Sequence, residues 1–416
     1  MFIVRGLQGK LNPIVVVRYF LGGAFIVATL FPHVSFRLND MDSQPWSIFF
    51  AILFLLCNLR VKLPVVLLPL FFVIPVVTIF ALWDGYINFS AVRAVVSYSS
   101  LALVVVVSFI YMSCYGVPFG IIYFANMAYL AAGLAQAVFG NDIFSFALLS
   151  RTTEGRGVTG LSVEPTYYAL ILFFISWIYL VAAGYKPQGM KLFLVMANTV
   201  AILFLAKSSM VFIFLFIFLF AMIFKSANFA VFVKRSVLLV LLGSLIVGGV
   251  LLMLEGSRLD SFIGKLLSDG VLDVIHEDAS INDRVSSVVF PFHGLIYNSL
   301  LPGGFHSYSS TSDVVREAYN NFFWYGGGGN TIMSYWGAMV YELGFFGILL
   351  MIYLLSLLAF KGRIFEAMLL FLFLFSAIPI SFPLISFFFA LCFYLGKQKL
   401  FFSWIQRTRI PKSVEN

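Results

Sequence analysis

The stretch 209–224, SMVFIFLFIFLFAMIF, runs without a single charge, and comparable apolar runs recur along the whole chain. This pattern constrains the fold more than any other feature. Hydrocarbon offers no hydrogen bonds, so a chain crossing it must satisfy its backbone internally, as a helix or a closed barrel. The runs are continuous rather than alternating, and many approach the ~18–20 residues that a spanning helix needs. The expected fold class is therefore an all-α polytopic membrane protein. Composition excludes the soluble alternative. Of 416 residues, 62% are hydrophobic and 11% charged, where a soluble domain has about a quarter charged. The net charge of +8 fits basic cytoplasmic loops better than a nucleic-acid surface. Cys57, Cys114 and Cys392 lie far apart in or beside apolar runs, unlike a disulfide or zinc framework.

About twelve spans are expected, near 13–32, 46–59, 63–83, 91–112, 119–139, 164–184, 192–206, 209–224, 236–254, 330–360, 364–380 and 384–396. The chain divides into helices one to nine (1–254), one large partly helical loop (255–329), and helices ten to twelve with a basic tail (330–416). No cleavage pattern follows the first run, so it reads as an uncleaved span. Placing the N-terminus in the cytoplasm puts Arg5, Lys10, Arg60, Lys62, Lys186, Lys191, Lys361, Arg363 and the C-terminal tail inside. The same topology puts most acidic residues outside, and both termini face the cytoplasm. It leaves Arg18, Arg37, Arg93, Arg151, Arg156, Lys207, Arg258, Lys265, Arg284 and Arg316 at the outer face or within spans. Positive charge there suggests a bound anion. No internal repeat is visible, which disfavours transporters built from repeated halves.

The polar stretch 151–168, RTTEGRGVTGLSVEPTYY, lies between two spans. Pro165 suits the first turn of the sixth helix, and Glu164 then sits at its positive end. Ser162 is an alternative cap. Arg156 offers a planar fork for phosphate oxygens, although an ordinary Arg156–Glu164 ion pair is the competing reading. Lys207, in the turn Ala206-Lys-Ser-Ser209, is a second phosphate donor or a snorkelling lysine. In the large loop, 260–267 and 270–277 have helical spacing, and 282–297 forms a helix interrupted by Pro291. Arg284 opens that helix. His293 is a candidate base, with surface packing as the commoner role. Asn330 and Thr331 could cap the tenth span. Tyr335, Trp336 and Tyr341 suit an interfacial belt, or could stack on sugar rings. Glu342, inside an apolar run, needs a partner. Walker, GxGxxG, HExxH and GxSxG motifs are absent.

The order of these blocks resembles a known family. RGVTGLSVEPTY (156–167) is similar to the arginine-to-Glu-Pro segment of bacterial polysaccharide repeat-unit polymerases of the O-antigen polymerase type. KSSM (207–210), NDR (282–284) before LPGGF (301–305), and YELGFFG (341–347) resemble that superfamily's serine turn, large-loop pattern and membrane re-entry segment. The resemblance implies a GT-C-like fold of the bacterial cytoplasmic (inner) membrane with its large loop in the periplasm. It implies a metal-independent glycosyltransferase without cofactor, acting on undecaprenyl-pyrophosphate-linked oligosaccharide amid membrane lipid. A chain-length regulator protein is the usual partner, and no nucleic acid is involved. The catalytic set would be Glu164 as base, with His293 second, and Arg156 and Arg284 as cations. Lys207, Arg258, Arg151, Asn330 and Tyr167 would bind substrate. The ligase branch and many polymerases carry a histidine shortly before the re-entry helix, where this chain reads GGGGN (326–330), which counts against a ligase-style histidine mechanism and leaves the general base unassigned. That departure favours a polymerase over a ligase of the same superfamily. A lipid-linked-oligosaccharide flippase is the transporter alternative, disfavoured because the charges gather at one face.

Overall fold

The computed structural model describes residues 13–35, 44–83, 89–148, 157–224, 268, 270–325, 332–376 and 378–408. Among them the architecture is entirely helical. The first half contributes α1 (Pro13–Leu30), α2 (Trp46–Cys57), α3 (Pro69–Trp83), α4 (Phe89–Tyr115), α5 (Phe119–Phe139), α6 (Pro165–Ala182), α7 (Met190–Val200) and α8 (Ser209–Phe224). After these come α9 (Val271–Glu277), α10 (Ala279–Tyr297), α11 (Tyr308–Ala318), α12 (Tyr335–Leu343), α13 (Phe345–Phe360), α14 (Ile364–Phe373) and α15 (Pro383–Thr408). Among the described residues, five helical stretches are long and apolar enough to cross a membrane: Pro13–Leu30, Val65–Leu82, Ala91–Tyr115, Phe119–Phe139 and Pro165–Ala182. They mark a membrane-embedded protein. The expected ninth span, 236–254, and the loop helix at 260–267 lie outside the described residues.

Helix α6 is the axis of the bundle. Its sequence is apolar all round, which suits a helix with protein on every side, and every residue from Tyr168 to Val181 is buried. Phe173 and Trp177 pack edge-on against Phe218 of α8 and Phe373 of α14. The Trp177 ring lies 4.3 Å from Phe388 of α15. By contrast, α1 and α3 leave most of their surface outside the protein, as lipid-facing helices do.

Several expected elements differ. The tenth span is not one helix: α12 ends at Leu343, and α13 starts at Phe345. Gly344 between them has φ +57, and a Cβ there would lie 2.6 Å from the Leu301 carbonyl carbon. Only glycine accepts that backbone and that approach. The eleventh stops at Phe373, and residues 374–376 and 378–382 lie in turns and irregular backbone. The twelfth runs on to Thr408.

Pro291 does not interrupt α10, which continues through it. The ring removes the hydrogen bond to the carbonyl four residues back, that of Ser287. Gly337 of α12 packs against this carbonyl, so that an added Cβ would lie 2.7 Å from its oxygen. The absence of a side chain at Gly337 lets α12 pack closely against that carbonyl.

Arg363, counted above as a cytoplasmic charge, is buried. It pairs with buried Glu366 at 3.2 Å. Tyr185, beyond the C-terminus of α6, donates to the same carboxylate at 2.9 Å and accepts from Trp177 Nε1 at 3.2 Å. This network ties the C-terminal end of α6 to the start of α14.

Candidate active site

At the opposite end of α6, the loop 157–164 is sewn to two neighbours. On one side is Gln136 of α5. Its Oε1 accepts the Gly160 amide at 2.6 Å, and its Nε2 donates to Thr159 Oγ1 at 3.0 Å and to the Asn141 carbonyl at 3.2 Å. Gly160 has φ +58, and Tyr168 lies so close to it and to Gly133 of α5 that a Cβ at either would collide with the ring or hydroxyl. On the other side is the end of α7. The Val158 amide donates to the Leu205 carbonyl at 2.9 Å. A Cβ on Gly157 would lie 2.2 Å from the Ala206 carbonyl oxygen.

That end of α7 is unusual. Residues Ala201–Ala206 form a π turn, closed by Lys207 in the left-handed region at φ 47. A lysine there costs of order 1–3 kcal/mol, and π turns concentrate at functional sites. Lys207 is exposed. Its neighbour Ser208 donates to Thr166 Oγ1 at 3.4 Å, joining the turn to the first turn of α6. Two blocks about forty residues apart in sequence thus meet, and the N-termini of α6 and α8 converge on them. Helix N-termini carry partial positive charge and unsatisfied N–H groups, which favour anions.

Glu164 takes the capping position of α6, after which Pro165 fills the first turn. Its carboxylate makes no capping bond. Ser162 does not cap either; its hydroxyl spans the carbonyls of Thr159 and Glu164 at 2.7 and 2.8 Å. Tyr167, half-buried, stacks toward His33, with ring centroids 4.9 Å apart, and toward Phe382 at 6.0 Å. His33 is buried and was overlooked in the sequence. Its signal was a histidine at the edge of the first span, a costly place for an imidazole without a role.

Arg284 and His293 belong to a second cluster, built by α10, α11 and α12. The cap of α10 is Asp278, which accepts from the Ser280 and Ile281 amides at 2.9 and 3.1 Å. Asp283, half-buried beside Arg284, has its carboxyl pushed up by burial, partly offset by that guanidinium. His293 meets Tyr319 edge-on at 5.6 Å. Among the described contacts none joins His293 to Glu164, Tyr167 or Lys207. The aromatic belt is overturned: Tyr335, Trp336 and Tyr341 are all fully buried. Tyr341 bonds Ser307 and Thr311 through its hydroxyl at 2.8 and 2.7 Å, and Trp336 donates to the Phe371 carbonyl at 2.8 Å. They weld the cluster to the bundle rather than line its rim. Ser334 Oγ caps α12 on the Gly337 amide at 3.1 Å.

Glu342 finds its partner in Tyr98 of α4, at 2.8 Å, and Arg93 is close enough to act on the same carboxylate. Arg316 pairs with Asp313 at 3.1 Å and bonds the Phe323 carbonyl at 2.9 Å. Arg93 and Arg316 therefore have local partners and need no bound anion to explain them. Arg151, Arg156, Arg258 and Asn330 lie outside the described residues.

The turns at 374–376 and 378–382 touch both clusters. The Leu374 carbonyl accepts the Trp336 amide at 3.1 Å, Phe375 faces Phe292 of α10 at 5.9 Å, and Phe382 faces Tyr167 and His33. Among the described residues no group of three or more His, Cys, Asp or Glu is arranged to hold a metal ion. Comparison with protein-family models, curated proteins and solved structures finds no match for this chain.

Proposed function

We propose that this chain is a glycosyltransferase of the bacterial cytoplasmic membrane, with about twelve spans and a GT-C-like fold. It polymerises polyprenyl-pyrophosphate-linked repeat units into a surface polysaccharide at the periplasmic face. One observation carries the reading: the N-termini of α6 and α8 converge at Thr166 and Ser208, beside exposed Lys207 and the Glu164 cap. A sugar–pyrophosphate bond breaks with negative charge growing on the bridging oxygen, and fixed positive potential there lowers the barrier. Helix ends and Lys207 supply that potential, with Arg156, Arg258 and Arg284 as the further cations of the proposal. The acceptor hydroxyl attacks the anomeric carbon and forms the new C–O bond. Its proton passes to the Glu164 carboxylate, and the lipid pyrophosphate leaves with the old bond's electron pair. The pyrophosphate leaving group drives the transfer, so no nucleotide is consumed outside.

The test is deletion of the chain followed by gel analysis of surface glycan, with Glu164→Gln as the site variant. Deletion is expected to leave single repeat units on their acceptor. Free polymer on lipid would indicate a ligase instead, and repeats trapped inside would indicate a flippase. Glu164→Gln is expected to lower turnover by ~10²–10⁴ while the protein remains folded and donor still binds. Unchanged polymer in that variant removes Glu164 from the chemistry.

A further inference from the structure

The C-terminal end of α10 and the turn after it carry an exposed apolar patch. Ile296 is 75% exposed, Tyr297 64% and Leu301 66%, with Leu300 exposed beside them. Patches of this kind on a solvated loop mark a binding surface. The turn is also costly. Ser299 and Leu300 both have positive φ, at 54 and 67. Leu300 closes the helix end, its amide donating to the Leu295 carbonyl at 2.9 Å. Glycine is the residue that such a helix end favours, and a branched apolar side chain there is rare. The backbone requirement alone does not explain a leucine whose side chain points away from the core.

The neighbour of this turn identifies its surroundings. The Leu300 carbonyl accepts the Phe345 amide at 2.9 Å, so the turn is bonded to the first residue of α13. Phe345, Phe346, Leu349 and Ile352 leave α13 exposed on its outer side. A helix this apolar in a membrane-embedded chain presents such a face to lipid. The Leu300–Phe345 bond places the exposed residues of 296–301 next to the start of that face. Tyrosine with apolar neighbours is the composition of a membrane–water interface.

We propose that residues 296–301 insert into the lipid interface, so that α10 runs from its Asp278 cap to a lipid-anchored end. The occupant of the patch is the bilayer itself, not a protein partner. The anchor holds the loop cluster of Arg284 and His293 at a fixed height over the membrane, whatever reaction that cluster serves.

The test reads depth directly. Ile296→Cys and Leu301→Cys are spin-labelled singly in a chain lacking its native cysteines and reconstituted in phosphatidylglycerol–phosphatidylethanolamine vesicles. Oxygen and a water-soluble nickel complex compete to relax each label. Labels at 296 and 301 are expected to match one at Phe346→Cys, with an oxygen-to-nickel ratio several-fold above one at exposed Glu317→Cys. Ratios equal to that of the 317 label overturn the proposal. In the unaltered protein, a diazirine-bearing lipid is expected to label the peptide spanning 296–301. Labelling of 345–352 without 296–301 overturns it as well, and does not depend on the cysteine variants folding.

Discussion

Lys207 shows how strain and chemistry meet in one residue. Its left-handed backbone at φ 47 is one that glycine adopts at no steric cost. Lys207→Gly is therefore expected to stabilise the fold by up to ~1 kcal/mol, read as a raised thermal midpoint, while polymer length on gels collapses. A variant that is both more stable and fully active would show that the lysine is only a helix-end residue. Asp283 gives a pH signature. Burial raises its folded-state pKa, so the protonated form is favoured in the folded protein. The stability it contributes is present below the usual ~3.9 and lost as pH rises through the raised value. Asp283→Asn is expected to stabilise the loop cluster at neutral pH and to change nothing in strong acid, as read from thermal melts across pH. The two residues differ in legibility. Lys207 stood out in the sequence because a cation had no loop to reach from. The half-burial of Asp283 could not be read, because it depends on α11 and α12 closing over α10.

Gln136 and Gly157 place the loop as a unit between α5 and the end of α7. Gln136→Leu removes every bond that α5 makes to Thr159 and Gly160, whereas Gln136→Glu keeps the acceptor for the Gly160 amide. Turnover is expected to fall sharply for the first and partly for the second, with donor binding changed less than turnover. Equal loss of binding and turnover in both would mean that the loop merely folds. Gly157→Ala is expected to fail in the same direction, since its Cβ would meet the Ala206 carbonyl. Helix positions were legible because apolar runs and Pro165 mark them. The break at Gly344 was not, because the run around it stays apolar and only the approach of Leu300–Pro302 requires a glycine. The continuity of α10 through Pro291 was hidden because it depends on packing against α12, whose Gly337 lies far along the chain.

Across the whole molecule, charge sorting carries no information about burial. It placed Arg363 among the cytoplasmic charges, and that guanidinium is paired inside the bundle. Glu366→Ala would leave it buried without its carboxylate, at a cost of ~3–5 kcal/mol. A lowered melting temperature in detergent, restored by adding Arg363→Met, is the expected result. The aromatic residues 335–341 teach the same lesson. Their composition matched a membrane rim, and their position in three dimensions is a core. The turns at 374–376 and 378–382 carry a consequence for biogenesis. Ribosomes deliver the chain from its N-terminus, so α6 and the Lys207 turn can insert and dock long before this segment emerges. The helices of the loop cluster are also made first. The segment that touches both arrives after more than four-fifths of the 416 residues have been translated. The two walls can therefore reach the membrane separately, and the late-made turns with Leu374, Phe375 and Phe382 complete their assembly.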